Sequence, residues 1–201
     1  MRKRFGLHSL SVMAGLALLA LAAGCGKVEF VVAPEFTAPT KVAVLPAGNE
    51  AVDTDGPAIF RRLITDKMIQ KGYLVADAAQ VDAVLLDKFD IENGGQLNAA
   101  DPAELAEALQ VDALVYSTIT EWEKHTAYVY NDIFVGGRFE LIGKDGTKLW
   151  AVEHHKEGDR EINNPQDTQN AVARTAANLL KSYEPFAVRL VDKVFLTLPN
   201  R

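Results

Sequence analysis

Asp101-Pro-Ala-Glu-Leu-Ala-Glu-Ala-Leu-Gln110-Val-Asp-Ala-Leu-Val-Tyr-Ser-Thr-Ile-Thr120 decides the fold. Asp101 can cap a helix, Pro102 suits its first turn, and Glu104 stands at the third position. Leu105, Ala106 and Leu109 then make an apolar stripe at helical spacing. Val111 to Thr120 is rich in β-branched and aromatic residues and reads as a strand. A short helix running straight into an apolar strand is half of a βαβ unit. The other half should lie upstream.

It does. Lys41-Val-Ala-Val-Leu-Pro46 is a short apolar run ended by proline, as in a buried strand. Gly48 to Gly56 is a loop, with Asp53 and Asp55 as turn and cap groups. Pro57 opens a helix in which Ile59, Phe60, Leu63, Ile64 and Met68 recur at three- and four-residue steps, and Gly72 closes it. Tyr73 to Ala76 reads as a second strand. Val81 to Phe89 reads as a second helix, with Val81, Val84, Leu85 and Phe89 on one face. Strands that alternate with helices should pair in parallel.

Downstream the pattern changes. Ala127 to Leu141 is rich in Tyr, Val and Phe, and Gly136-Gly137 inside it predicts a bulge or bend. Lys144-Asp-Gly-Thr147 is a hairpin signal, and Leu149 to His155 returns as the partner strand. Asn164-Pro165 opens a helix whose Ala171, Val172, Thr175, Leu179 and Leu180 should face inward. Pro185 should kink or split this last helical region, which runs to about Leu196. The expected fold is α/β: a single domain over 41–198 whose mixed sheet is parallel in its first half, an antiparallel meander in its second, and flanked by helices.

The first twenty-four residues are an address. Arg2, Lys3 and Arg4 precede an apolar run from Leu10 to Ala23, then Gly24-Cys25. This is a basic region, an apolar core and a small-residue cleavage zone. The apolar run is about fourteen residues, short of the roughly twenty that span a bilayer. Leu21-Ala22-Ala23-Gly24 before the sole cysteine resembles the bacterial lipobox, although Ala22 stands where leucine is commonest. The resemblance implies cleavage between Gly24 and Cys25, lipidation of Cys25, and attachment to a membrane through the lipid. Gly26 rather than aspartate implies delivery to the outer membrane, on the periplasmic side or exposed at the surface. Residues 25–40, with Pro34 and Pro39, read as a lipidated N-terminus and tether.

Charge and chemistry exclude much. The chain holds 21 bases and 27 acids, and loss of the signal leaves 18 against 27, a balance of −9. Phosphate binding needs a concentrated cationic surface, so no nucleic-acid partner is expected. The single cysteine forms no internal disulfide. After the signal the serines are Ser117 and Ser182, with no nucleophile elbow, Walker loop or dinucleotide fingerprint. His154 and His155 are adjacent in a strand and should point to opposite faces, which does not suit one metal. Neither catalytic residues, nor a metal, nor a cofactor are assigned. Glu121 and Glu123 could share a strand face, and a deep pocket gathering His125 and Glu121 or Glu123 with an aromatic wall would be the mark of a small-molecule binding module or a cryptic hydrolase. Trp122, Tyr128, Tyr130 and Phe134 are a candidate aromatic partner surface on the meander, although core packing competes for some of them.

Together, Lys41-Val-Ala-Val-Leu-Pro46, Gly56-Pro57, Gly72-Tyr73, Ala103 to Trp122 and Gly143-Lys-Asp-Gly-Thr-Lys-Leu-Trp150 resemble a family of short bacterial lipoproteins of unknown function, which includes a surface-antigen lipoprotein. The resemblance covers roughly 41–195. Gln110 departs from it, since similar chains often have a helix-closing glycine there. The resemblance implies a domain similar to the N-terminal domain of the Tol-system periplasmic protein. More distantly it implies similarity to curli-secretion-type lipoproteins and to lipoprotein activators of cell-wall synthases. Those are assembly, transport or regulatory components, and no catalytic residue comes with them. The expected role is a non-enzymatic accessory or scaffold component among envelope proteins. A ring-forming subunit of an export channel, built as a homo-oligomer, is the alternative.

Overall fold

The structure is a computed structural model that describes residues 28–51, 54–127, 130–162 and 168–201. Its strands are β1 (Glu29–Val32), β2 (Lys41–Val44), β3 (Gly48–Asn49), β4 (Leu74–Val75), β5 (Ala113–Thr126), β6 (Tyr130–Gly143) and β7 (Lys148–Ile162). Its helices are α1 (Gly56–Gln70), α2 (Ala78–Phe89), α3 (Pro102–Leu109), α4 (Thr168–Leu180) and α5 (Glu184–Phe195). A short 3₁₀ turn at Gly94–Ala99 precedes α3. The strands form one mixed sheet in the order β1-β7-β6-β5-β2-β4, with β3 beside β5. β2 pairs in parallel with β4 and β5, while β5, β6 and β7 are an antiparallel meander. The single mixed sheet flanked by helices is the architecture expected from the sequence.

Two cores lie on opposite faces of the sheet. One packs α1 and α5 against Val115, Ile119, Phe139, Leu141 and Trp150. Here Phe60 stacks on Phe139 with centroids 5.6 Å apart, and the Trp150 Nε1–H donates to Thr197 Oγ1 at 2.9 Å. The other packs α2 and α3 against Ala43, Leu45 and Leu114. The crossovers from β2 to β4 and from β4 to β5 therefore run on different faces, as a doubly wound sheet requires.

Local chemistry explains most element ends. The Asp101 carboxylate accepts from the Ala103 N–H at 2.7 Å and caps α3. The Asp77 carboxylate accepts from the Gln80 N–H at 3.0 Å, so α2 begins three residues before the expected Val81. Pro57 sits in the first turn of α1, but Asp55 makes no side-chain cap bond there, and Asp53 lies outside the described residues. The expected start of α4 at Asn164-Pro165 also lies outside them. Gln110 closes α3 in the left-handed region, at φ 53°, where glycine would sit without strain. Gly136-Gly137 marks a bulge, with register shifts at Ile119/Glu121 and Val135/Gly137. A Cβ on Gly137 would meet the Phe60 ring at 2.7 Å, so this glycine admits the aromatic stack.

Three sequence expectations give way. The segment 28–40 is not a free tether. Its Glu29–Val32 stretch is an edge strand antiparallel to β7, and Phe36 and Ala38 pack on the core. β7 extends to Ile162, seven residues past the expected end. Third, α4 is turned over. Val172, Leu179 and Leu180 face solvent, Leu180 at 87 % exposure, whereas Asn178 is buried. Thr175 is half-buried, and the side chain of Ala171 is not described.

Candidate interaction surface

Beyond the bulges, β5, β6 and β7 continue as a ribbon that α4 crosses. Among the described residues, hydrogen bonds tie α4 and the turn after it to the ribbon. Asn178 Nδ2 donates to Thr126 Oγ1 at 3.0 Å on β5. Lys124 Nζ donates to the Leu179 and Lys181 carbonyls at 3.2 and 2.6 Å, and it lies 4.8 Å from the centre of the Tyr183 ring. Lys181 Nζ reaches Glu161 Oε1 at 2.9 Å. A cation at the carbonyl end of a helix also satisfies its dipole. Because these bonds take the inward face, the apolar residues of α4 face outward. Hydrophobic periodicity alone assigns them to the core, and the signal against that was Asn178 on the opposite side.

The other ribbon face carries charge and aromatic edges. Asp132 is buried, and its Oδ2 accepts from Arg160 Nε and Nη2 at 3.0 and 2.7 Å. His125 Nδ1 lies 3.5 Å from the other Asp132 oxygen and 3.9 Å from Glu123 Oε2. The Arg160 guanidinium lies 5.7 Å from the rings of both Tyr130 and Phe134. Tyr130, at 38 % exposure, remains available to a partner. Trp122 does not. It is only 4 % exposed, stacked on Tyr183 at 4.9 Å with Phe60 edge-on at 5.7 Å. The bulge before Trp122 turns its side chain into the core. Tyr128 lies outside the described residues.

Neither of the two cavities at loop and helix ends gathers His125 with Glu121 or Glu123. Glu123 and His125 stand on the exposed strand face. Glu121 is paired with Lys156 at 3.8 Å, and burial pushes its carboxyl above the usual range. Cavities of about 420 and 600 Å³ lie elsewhere, one between Pro46, Pro57 and Gly94, the other between α3 and Lys144. His154 and His155 do diverge. His154 turns toward α5, 3.3 Å from Lys193 Nζ and 3.6 Å from Glu157, and burial together with Lys193 holds its pKa below the ordinary value. His155 is exposed beside Glu153. Among the described residues, no three His, Cys, Asp or Glu side chains are placed to hold a metal ion, and no helix is long and apolar enough to cross a membrane.

Comparison with known proteins gives this surface its setting. Residues 33–182 match the family model described as "Putative lipoprotein GNA1162-like". The chain belongs to this lipoprotein family. The curated protein "Putative lipoprotein NMB1124/NMB1162" of Neisseria meningitidis serogroup B (strain ATCC BAA-335 / MC58) is 25% identical over 114 residues, which are 56% of this chain and 53% of that one. The chain thus matches about half the length of that relative. Among solved structures, lipoprotein GNA1162 from Neisseria meningitidis has a TM-score of 0.54 at 22% identity, covering 72% of this chain and 100% of that one. The PelC dodecamer from Paraburkholderia phytofirmans has a TM-score of 0.53 at 17% identity, covering 87% of this chain and 98% of that one. These likenesses establish the fold. The GNA1162-like family places the chain among envelope-associated lipoproteins, and its description names no enzymatic activity.

Proposed function

We propose that the protein is a non-enzymatic lipoprotein, anchored through Cys25 in the outer membrane on its periplasmic side, that serves as an accessory or scaffold component of an envelope assembly or transport complex. The observation that carries the partner-binding part is the outward apolar face of α4, with Val172, Leu179 and Leu180 unburied on a helix held by polar bonds. Apolar residues grouped on one exposed face mark an interaction surface more often than scattered ones do. Tyr130 and Arg160, on the opposite face of the ribbon, form a second and separate candidate contact area. Photocrosslinking from position 180 in living cells, followed by mass spectrometry, tests the reading. Capture of a defined envelope protein supports it. No adduct from 180, while position 87 on α2 gives the same blank, counts against it.

A second reading is a ring of identical subunits. It is favoured by the dodecameric assembly named for the PelC structure, whose fold this chain shares. In that case position 180 crosslinks to another copy of the chain, and native mass spectrometry gives a closed oligomer.

A further inference from the structure

The segment between the lipidation cysteine and the folded domain is far shorter than the sequence suggests. Read as a tether, residues 25–40 would let the domain swing roughly 50 Å from the bilayer. The structure places Glu29–Val32 in the sheet, with Val28 packed against the core. That leaves Gly26 and Lys27 between Cys25 and the described chain. Three Cα–Cα steps reach at most roughly 11 Å. The headgroup layer on each side of a bilayer is itself roughly 5–8 Å deep. A lipid on Cys25 therefore holds β1 at the membrane surface.

β1 is suited to that position. It is the last strand on its side of the sheet, so its outer edge has no strand partner among the described residues. Phe30 and Val31 are exposed at 46 and 64 %. Uncovered edges of this kind invite pairing with another chain unless something covers them. The same edge limits how deep the strand can go. Its unpaired backbone groups need water or headgroup oxygens and could not be satisfied in hydrocarbon. Aromatic and apolar side chains on a hydrated backbone belong to the interface. Charge selects the bilayer, since a body of −9 would be repelled by a strongly anionic surface.

We propose that β1 is a bilayer-docking edge, with Phe30 and Val31 resting in the headgroup layer and the sheet standing edge-on to the membrane. This rests on the lipid-anchor reading above. The consequence is a fixed orientation. The α4 face is presented from a domain held against the membrane, not from one swinging on a leash.

The experiment uses the full lipidated chain reconstituted into phosphatidylcholine vesicles, with a nitroxide on V31C and, separately, on the exposed L86C of α2. Intact mass reports the lipid on Cys25 in each sample. The expected result is loss of collision with a water-soluble nickel chelate at position 31 but not at 86, together with gain of collision with oxygen at 31. A twenty-residue Gly/Ser insertion after Gly26 should abolish the difference while the lipid remains. Equal access of the chelate to 31 and 86 in lipid-bearing protein overturns the docking edge alone. Absence of lipid by mass overturns the anchor reading and the docking with it. Protection of 31 that persists in the soluble C25A chain means that a second copy covers β1, and this too overturns the proposal.

Discussion

Gln110 shows how one residue can be wrong for its backbone and still be tolerated. It closes α3 at φ 53° and ψ 51°, a conformation that costs a side chain about 1–2 kcal/mol and glycine little. Against this stands the extra chain entropy of glycine, about 0.5–1 kcal/mol. Gln110→Gly should therefore stabilise the domain by about 0.5–1 kcal/mol, read as a higher urea midpoint with an unchanged slope. His154 makes a pH prediction. Burial and Lys193 disfavour its charged form, so its folded pKa lies below the ordinary value of 6.5. The folded state then binds fewer protons than the unfolded one. The stability contribution is complete above about 6.5 and is lost as the pH falls through the folded pKa. His154→Gln should flatten the fall in urea midpoint between about pH 7.5 and 5.5. Glu121, raised by burial, acts in the opposite sense, and because it is common to both proteins the difference between them reports the histidine.

The long ribbon and α4 carry the predictions about elements. Leu179→Gln with Leu180→Gln should change stability by less than about 1 kcal/mol, because both side chains are largely exposed and glutamine adds no charge at the carbonyl end of α4. The same pair should abolish crosslinking from Val172, measured in cells. Asn178→Ala should cost about 1–2 kcal/mol, since it removes the buried bond that ties α4 to Thr126. The parallel half of the fold was legible because its signals are local and agree: Asp101-Pro102 with the Leu105 stripe, Pro57 with Gly72, and the apolar run from Val42. The glycine pair announced its bulge for the same reason. What was not legible depended on distant partners. Glu29 to Val32 has strand composition, but the two prolines after it read as tether, and only pairing with β7 decides the matter. Trp122 has the look of a surface aromatic in a polar run, but the bulge just before it sets its direction. In α4 the leucines suggest the inward face, and the deciding group is Lys124, far upstream on β5.

As a whole, the molecule is an acidic α/β domain whose two covered faces carry the cores and whose uncovered parts are an edge strand, a charged ribbon and the back of one helix. None of those parts brings a nucleophile, base and binding cavity together among the described residues. They do offer exposed apolar side chains, among them Phe30 and Val31 on β1, a few residues after Cys25, and Val172, Leu179 and Leu180 on α4. The arrangement makes sense if the lipid fixes the domain at a membrane and α4 meets a protein there. The most direct test of that account is the intact mass of the chain purified from the cell envelope. The expected species is a chain that begins at Cys25 and carries a thioether-linked diacylglycerol. A chain that begins elsewhere, or one that starts at an unmodified Cys25, would contradict it.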